Sequence, residues 1–332
     1  MKKIELGKSG LKVSSVGMGC MGLSHAYGAA MNLTEIREVI MKAIDLGYTF
    51  FDTAEVYGSE LDPHHNERML GEIIGPVRDK IILATKGGIR FADSDSDNAT
   101  HPLITDASPA SLRHSLEGSL RRLQTDHIDL YYQHRIDPKV EPEEVAEAMA
   151  TFIKEGKIRS WGISEANEEY LRRAHAVCPV AAIQNRYSML ARWHESLFPV
   201  VKELGVGFVA FSPMANGLLS GCYSAQSQFD LKTDFRAAMP QYSKESFEKN
   251  KSLFDLVNLL ATQYDATPAQ ISLAWMINKG IVPIPGTRNL SRLEENAGSA
   301  NIEMTSDELR RVDLALESIE MSEVFGGSKI IK

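Results

Sequence analysis

Polar residues suited to acid–base chemistry follow successive apolar stretches of the sequence. Asp52 ends the run YTFFD, Lys86 follows IILAT, and His134 follows IDLYYQ. Singly, each has an ordinary explanation: the aspartate could cap a helix, the lysine could extend into solvent, and the histidine could be satisfied by hydrogen bonds. If the three runs are parallel strands, however, their carboxyl ends meet at one face of the fold. The pattern therefore predicts that these side chains converge, together with Tyr57, which lies shortly after Asp52.

This group of residue types suits proton donation to an oxygen atom. A tyrosine with its ordinary pKa near 10 is a weak acid at neutral pH. A buried lysine beside it stabilises the phenolate and lowers that pKa, and a carboxylate holds the lysine charged. A histidine can orient a carbonyl oxygen or relay the proton. We therefore interpret Tyr57, with Lys86, Asp52 and His134, as a proton donor to a carbonyl oxygen that gains charge as a hydride reaches its carbon.

The elements that must position these residues alternate regularly along the chain. The predicted strands are residues 48–52, 81–85, 128–133, 159–163, 181–184, 206–211 and 281–284, with residues 13–19 as an eighth. The predicted helices are residues 33–46, 108–123, 142–154, 168–176, 196–204, 246–264, 267–279 and 290–298. Such alternation indicates parallel strands joined by crossover helices, which an open doubly wound sheet and a closed barrel both satisfy. Eight units in about 300 residues favour an α/β fold with one (β/α)8 TIM barrel domain over residues 1–332.

Several segments lie outside this repeat. Residues 1–15 contain a predicted β-hairpin, with the polar turn Gly7–Gly10, that could plug the bottom of the barrel. Residues 58–65, 88–106 and 212–243 each follow a predicted strand, so we expect these three loops at the active face. The C-terminal tail, residues 319–332, could either fold over the mouth or extend into solvent.

A glycine pattern near the N-terminus resembles a dinucleotide-binding fingerprint. Gly17, Gly19 and Gly22 match G-x-G-x-x-G. That fingerprint requires a helix that opens at its third glycine. Here the helical pattern begins only near Leu33, with Thr34 as the predicted N-cap. We therefore interpret the glycines as the exit from a strand into a loop, which needs small residues near a ligand.

The ordered motifs of the chain resemble the aldo-keto reductase family. FDTAEVYG, ATKGG, DLYYQHR, WGIS, AIQNRYS, FSPMANG and PIPGTRNLSRLEENAG occur in family order across nearly the whole sequence. The resemblance implies a (β/α)8 barrel, no metal, and NADPH bound across the barrel mouth. It places the catalytic tetrad at Asp52, Tyr57, Lys86 and His134. In this family the tyrosine is the general acid in carbonyl reduction and the general base in alcohol oxidation.

The same resemblance implies a set of cofactor-binding residues. Ser164 and Gln184 correspond to contacts with the nicotinamide carboxamide, and Phe211 to the ring that stacks on the nicotinamide. The positions that correspond to the pyrophosphate loop are Ser212, Met214, Asn216 and Gly217. The segment from Gly286 to Asn296 corresponds to the adenosine 2′-phosphate site. Arg288 and Arg292 are its cations, Thr287 and Asn289 are further donors, and Glu295 and Asn296 lie near the adenine. Arginine suits a phosphate, and the start of a helix favours anions independently.

Two residues depart from the pattern of many relatives. Glu165 stands where asparagine is common, and a carboxylate cannot donate a hydrogen bond to the carboxamide. Gly286 stands where lysine is common, so binding of the 2′-phosphate must depend more on Arg288 and Arg292. We still expect NADPH rather than NADH.

The substrate pocket is harder to predict. Candidate wall residues are Met21, Tyr27, Ile89, Tyr187 and Trp193, together with Cys20 and Phe91, and ordinary packing explains each of them equally well. An apolar mouth would accept aromatic or aliphatic aldehydes and ketones, whereas polar loops could select a sugar or a pyridoxal-type substrate. The alternative function that we weigh is an NADPH-binding regulatory protein with little turnover, although such a protein has no need of an intact tetrad.

The composition of the chain limits the kinds of partner that we expect it to bind. The formal net charge is −8 and there is no long basic run, which argues against a nucleic acid or polybasic membrane contact. The N-terminus lacks the apolar stretch of a signal peptide, and the three cysteines are far apart, as expected for reduced thiols in a cytoplasmic protein. The adjacent pair His64 and His65 is the only close histidine pair, and neighbouring loop residues rarely chelate one metal together. The resemblance to the aldo-keto reductases implies a small carbonyl compound as the partner, and the oligomeric state is open.

Overall fold

A β-hairpin opens the chain and closes the bottom of the fold. The computed structural model describes residues 1–59, 62–92, 103–325 and 330–331. Strands β1 (Lys3–Glu5) and β2 (Lys12–Ser14) pair in antiparallel fashion. Leu6 and Leu11 are buried on the barrel interior, and Lys8 donates a backbone hydrogen bond to the carbonyl of Gly205, just before a barrel strand begins. The hairpin therefore lies at the amino ends of the strands, as the sequence predicts.

Eight parallel strands form the barrel wall within the described residues. In chain order they are Met18–Gly19 (β3), Phe50–Asp52 (β4), Ile82–Gly87 (β5), Ile128–Gln133 (β8), Ile158–Ser164 (β9), Ala182–Arg186 (β10), Gly207–Phe211 (β11) and Val282–Pro283 (β12). Each strand pairs with the next one along this series. The short strands Ile89–Phe91 (β6), Leu103–Thr105 (β7) and Ile330–Ile331 (β13) form a separate small sheet.

The barrel closes where β3 meets β12. Gly17 and Gly19 donate backbone hydrogen bonds to Pro283 and Pro285, at 2.9 and 3.3 Å. A Cβ atom added to Gly19 would lie 2.6 Å from the carbonyl oxygen of Ile284, a distance that real Cβ atoms do not adopt. These two glycines therefore allow the first and last strands to approach each other. The G-x-G-x-x-G pattern is explained by this close approach of backbones, since a short 3-10 turn rather than a long helix follows it.

Helices cover the outside of the barrel. They are Leu33–Asp45 (α1), His65–Ile74 (α2), Pro109–Arg122 (α3), Pro142–Lys154 (α4), Glu168–Val177 (α5), Phe198–Leu204 (α6), Lys244–Lys249 (α7), Lys251–Gln263 (α8), Pro268–Asn278 (α9), Leu290–Gly298 (α10) and Ser306–Ser318 (α11). Several begin with proline, whose missing N–H is not needed in a first turn. In the part of the chain described, no helix is both long and apolar enough to cross a membrane.

Alternation along each strand separates two cores. Inward side chains such as Phe50, Ala84 and Leu130 pack with the hairpin inside the barrel. Their neighbours, such as Phe51 and Leu83, pack beneath the helices in the larger outer core. Side chains alternate with period two, so every second residue along a strand faces inward. Asp52 follows Phe50 by two residues and Lys86 follows Ala84 by two, so both face inward at the carboxyl ends of their strands. The residues predicted to do chemistry therefore lie on the inner face of the wall.

The C-terminal tail folds back onto the mouth loops. Ser322 exchanges hydrogen bonds with the Asn250 side chain at 2.8 and 2.9 Å, and Phe325 donates its backbone N–H to Gln241 Oε1 at 2.9 Å. Strand β13 then pairs in parallel with β7. The tail therefore adds to the small sheet that follows β5.

The structure corrects several expectations about elements. Helices α2 and α11 and the pairing of β6 with β7 were not predicted from the sequence. The predicted helix over residues 246–264 is two helices that meet at Asn250. The N-cap of α1 is Asn32, which forms a capping box with Glu35, and not Thr34, which lies inside the first turn. Parts of the predicted loops 58–65 and 88–106 lie outside the described residues.

Candidate active site

A buried lysine connects three members of the predicted tetrad. Lys86 is 1% exposed, and its Nζ donates to Asp52 Oδ1 at 2.5 Å and to the carbonyl of Thr53 at 2.8 Å. The same nitrogen lies 3.4 Å from the Tyr57 hydroxyl and 5.1 Å from the centre of that ring. Parallel pairing of β4 with β5 brings Asp52 and Lys86 to the same height on the inner wall. The sequence-predicted group is thus brought together.

Burial and charge act in opposite directions on these groups. Burial raises the pKa of Tyr57, and the positive charge of Lys86 only partly reverses that rise. The lowering effect of Lys86 on the pKa of Tyr57 that the sequence predicts is present, but burial outweighs it. The pKa of Lys86 is raised overall: burial opposes the increase, whereas the charge of Asp52 favours it. At neutral pH the pair thus presents a cation beside a protonated phenol.

His134 lies against Tyr57 and is neutral. The two ring centres are 5.9 Å apart in an edge-to-face arrangement. Burial and then the charges of Arg135 and Lys86 hold the pKa of His134 well below its usual value. Its Nδ1 is buried and has no hydrogen-bond partner among the described residues. A neutral imidazole in this position can donate one hydrogen bond and accept another.

The predicted carboxamide contacts lie at the mouth but already have partners. Gln184 donates to Asp52 Oδ2 at 2.7 Å, which holds the second oxygen of that carboxylate. Ser164 Oγ accepts a hydrogen bond from Arg135 at 3.0 Å. Glu165 adopts a left-handed backbone conformation, with φ of 55°, and its Oε1 accepts the backbone N–H of Arg186 at 2.9 Å. A carboxylate is therefore tied to the mouth wall at the position where many relatives have asparagine.

The predicted pyrophosphate loop has an unusual backbone. Ser212, Asn216 and Gly217 all adopt positive φ, at 49°, 63° and 101°. Ala215 also adopts a positive φ, at 49°, so residues 215–217 form a continuous run of such conformations. A turn of this kind can direct backbone N–H groups to one side, which favours anions. The side chain of Asn216 donates to the Tyr27 hydroxyl at 2.7 Å, so Tyr27 lies against this loop. Met214 is half-buried next to the outer core.

The segment from Gly286 to Asn296 spans the start of α10. Asn289 caps the helix by accepting from the N–H groups of Ser291 and Arg292, and Thr287 Oγ1 accepts from Asn289 N–H at 3.1 Å. Arg288 Nε donates to the carbonyl of Gly22 at 2.6 Å, while its Nη2 is buried without a partner among the described residues. An orphaned guanidinium nitrogen fits an anionic ligand. Gly286 packs against the carbonyl of Gly19. Glu295 is half-buried, with its carboxylate 4.0 Å from the Arg292 guanidinium, and Asn296 is buried.

The structure places the predicted substrate-pocket residues in different environments. Met21 is half-buried and Ile89 is buried. Tyr187 is not at the mouth: it stacks on Trp275 in the outer core and donates to Glu195 at 2.6 Å. Tyr187 lies two residues after Asn185, so alternation along the strand turns both side chains outward. The prediction that Tyr187 lines the pocket did not take this alternation into account. Trp193 is 53% exposed beside His194, and Cys20 belongs to the outer core. Phe91 lies in β6.

Several residues around the mouth were not singled out from the sequence. His25 stacks beside Tyr57, with ring centres 6.3 Å apart, and its Nδ1 lies 2.6 Å from the carbonyl of Gly58. Arg135 and Arg186 flank the Phe211 ring at 5.9 and 4.9 Å. The parity of β10 could have identified Arg186, because it continues the inward series of Ala182 and Gln184.

No group of three or more histidine, cysteine, aspartate or glutamate side chains is arranged to hold a metal ion in the described part of the chain.

Comparisons with known proteins agree with this geometry. The model of the aldo/keto reductase family matches residues 15–317. A probable aldo-keto reductase from Glycine max is 35% identical over 334 residues, which cover 98% of this chain and 91% of the relative. A glycerol dehydrogenase from Gluconobacter oxydans superposes with a TM-score of 0.85 at 25% identity, over 98% of both chains. A holo-form aldo-keto reductase from Bacillus halodurans superposes with a TM-score of 0.76 at 26% identity, over 99% of both chains.

Proposed function

This chain belongs to the aldo/keto reductase family, whose members reduce carbonyl groups with nicotinamide cofactors, and from that premise we propose that it reduces aldehydes or ketones to alcohols with NADPH. The observation that carries the proposal is the position of Lys86 Nζ, between Asp52 at 2.5 Å and the Tyr57 hydroxyl at 3.4 Å. Tyr57 is the proposed proton donor.

The raised pKa of Tyr57 suits the direction of reduction. The reaction needs a phenol that still carries its proton when the carbonyl oxygen gains charge. Burial supplies that protonated form at neutral pH, and Lys86 stabilises the phenolate that remains after transfer. The neutral ring of His134 is placed to donate a hydrogen bond to the same oxygen. Alcohol oxidation needs the phenolate instead, so we expect it to require a higher pH.

The mouth offers residues that fit the cofactor. Phe211 presents an aromatic ring, and the left-handed loop at Ser212–Gly217 and the orphaned nitrogen of Arg288 suit phosphate groups. When bound, the reduced nicotinamide supplies a hydride to the carbonyl carbon. Arg288 and Arg292 are the residues that we propose distinguish NADPH from NADH, through charge-assisted hydrogen bonds to the 2′-phosphate.

A tyrosine substitution tests the proposal. Tyr57→Phe should lower kcat for reduction of a simple aldehyde by at least about 100-fold, the usual contribution of a positioned general acid. Binding of NADPH, followed by quenching of protein fluorescence, should be retained. Tyr48→Phe is the matched control, since it removes another buried phenol hydroxyl, bonded to the carbonyl of Leu293 in the outer layer.

Two results would contradict the assignment. Near-normal turnover in the Tyr57→Phe variant would exclude the proton-donor role. Tight NADPH binding by the unmodified protein without turnover of any aldehyde or ketone would instead indicate the regulatory alternative.

A further inference from the structure

Two arginines sit in the mouth without an ion-pair partner. Arg186 is 4% exposed, and the one side-chain hydrogen bond that its guanidinium makes among the described residues is a long one, at 3.4 Å, to Asn216. Arg135 donates to the carbonyl of His134 and to Ser164 Oγ. Neither guanidinium forms an ion pair with a carboxylate in the part of the chain that the structure describes. A buried cation without a counter-ion is strongly unfavourable.

Both cations face the reacting end of the mouth. Arg186 is the register partner of Phe211 across β10 and β11, so the two side chains lie next to each other on the inner wall. The guanidinium of Arg186 lies 4.9 Å and that of Arg135 5.9 Å from the centre of the Phe211 ring. The charge of Arg135 also acts on Tyr57. An anion held here would therefore lie close to the proton donor.

The charges of the side chains around Arg135 and Arg186 leave room for one negative charge on a ligand. The charge of the Glu165 carboxylate acts on both arginines. The same carboxylate accepts the backbone N–H of Arg186 and lies 3.7 Å from His194. It offsets one of the two positive charges. The pair Lys86 and Asp52 is neutral as a whole. One uncompensated positive charge remains, which suits a carboxylate better than a doubly charged phosphate ester.

The cofactor does not supply this anion at the proposed position. In NADPH a ribose separates the nicotinamide ring from the pyrophosphate. Cations around Phe211, the ring proposed to stack on the nicotinamide, therefore lie at the uncharged end of the cofactor. The proposed partners of the phosphates lie elsewhere, at the loop Ser212–Gly217 and at Arg288.

We propose that Arg135 and Arg186 bind a carboxylate group of the substrate, so that the physiological substrate is a carbonyl compound that carries an acid group. This inference rests on the proposed reductase function and narrows its substrate class. Arginine suits the task because its planar group can donate two parallel hydrogen bonds to a carboxylate. The remainder of the substrate then places its carbonyl oxygen between Tyr57 and His134.

A matched pair of aldehydes tests the proposal. The compounds 4-carboxybenzaldehyde and methyl 4-formylbenzoate have similar shapes and differ in charge. In the unmodified enzyme with NADPH we expect kcat/KM to be about 10- to 100-fold higher for the acid than for the ester, as charge-assisted hydrogen bonds imply. Arg186→Gln and Arg135→Gln should each reduce this ratio towards one, and Arg186→Lys should retain part of it.

The control is an arginine of the same charge outside the mouth. Arg172 is paired with Glu168 and Glu203 on the outer surface, so Arg172→Gln should leave the acid-to-ester ratio unchanged. An equal kcat/KM for acid and ester in the unmodified enzyme would overturn the proposal while leaving the reductase function intact. So would a preference for the acid that persists in both the Arg135→Gln and Arg186→Gln variants. A loss of NADPH affinity in Arg186→Gln, with the ratio preserved, would assign the arginine to the cofactor instead.

Binding separates this proposal from the reductase function itself. If neither aldehyde is reduced, calorimetric titration of benzoate and benzamide into the NADP⁺-loaded protein tests the anion site without turnover. Tighter binding of benzoate that is lost in Arg186→Gln would support the anion site. Equal binding of the two compounds would overturn it.

Discussion

Replacing Lys86 with methionine tests whether the buried cation supports the fold, the chemistry or both. Methionine keeps much of the length of the side chain and removes its charge. The substitution deletes the contacts with Asp52, Thr53 and Tyr57 at 2.5, 2.8 and 3.4 Å. Loss of the contact with Asp52 should affect stability, and loss of the contact with Tyr57 should affect the rate. The two effects can therefore be measured separately.

The stability effect follows from the carboxylate left behind. Asp52 is 2% exposed, and of its side-chain partners among the described residues it would keep Gln184 alone. Breaking a buried ion pair in this way costs about 3 to 5 kcal/mol of unfolding free energy. Burial already raises the pKa of Asp52, so protonation of the carboxylate limits the loss at low pH. The double variant Asp52→Asn/Lys86→Met removes both charges and should recover most of the stability, as followed by urea unfolding.

The catalytic effect follows from the distance between Lys86 Nζ and the Tyr57 hydroxyl. At 3.4 Å and an effective dielectric constant of about 20, Coulomb's law gives an attraction between ammonium and phenolate of about 5 kcal/mol. The opposite charge of Asp52 cancels part of it. If about half remains, kcat for reduction should fall on the order of 100-fold, and the rise of the oxidation rate with pH should move to higher pH.

The double variant separates the two effects. It should be stable but still slow, because it lacks the cation beside Tyr57. The assays are steady-state reduction and oxidation across pH, with urea unfolding for each variant. If the double variant regains normal kcat, Lys86 acts only by holding the fold, and the proposed role in the acidity of Tyr57 is wrong. If Lys86→Met loses rate without any shift in the pH profile of oxidation, the electrostatic explanation fails.

Two further predictions concern the cofactor and the effect of pH on stability. Arg288→Ala together with Arg292→Ala should raise KM for NADPH at least about tenfold more than KM for NADH, because only NADPH carries the 2′-phosphate; equal increases would mean that these arginines do not recognise that group. Burial, and then the charge of Glu67, raise the pKa of Glu55 to about 8. Since an unfolded glutamate titrates near 4.3, unfolding free energy should fall as pH rises from about 4.5 to 8, by up to about 4 to 5 kcal/mol from this group. Glu55→Gln should flatten this dependence in urea unfolding between pH 5 and pH 9, and parallel curves for the two proteins would contradict the assignment.

The repeating part of the fold could be predicted from hydrophobic pattern alone. Strand β8 and helices α4 and α10 have the predicted bounds. For the two helices, a periodic segment that starts with proline or after asparagine leaves few alternatives. Helix α2 was missed because its first turn, His65–Glu67, is polar, and its Asn66 and Glu67 are nevertheless buried. The pattern of polarity cannot reveal such residues when tertiary hydrogen bonds satisfy them: Glu67 accepts from Thr85 and Arg122.

The position of the tetrad was predictable, but the balance of its charges was not. Spacing and strand ends indicated that Lys86 would approach Tyr57, and the 3.4 Å distance agrees with that expectation. The direction of the Tyr57 pKa depends on a competition between burial and a nearby charge, and burial prevails. The sequence names the charged groups, whereas only the three-dimensional packing determines how far each is removed from water.

Strand parity explains one wrong assignment and one residue that was overlooked. Arg186 and Tyr187 are adjacent in sequence, yet Arg186 lies beside Phe211 on the inner wall and Tyr187 stacks on Trp275 beneath the helices. Once Gln184 is assigned to the interior, period-two alternation assigns Arg186 to the interior as well, and Tyr187 to the exterior. The type of an aromatic residue suits a pocket, but its position in the strand decides which face it occupies. The same parity puts the buried positive charge of Arg186 next to the proposed nicotinamide site, so β10 contributes a cation to the mouth and not the aromatic ring of Tyr187.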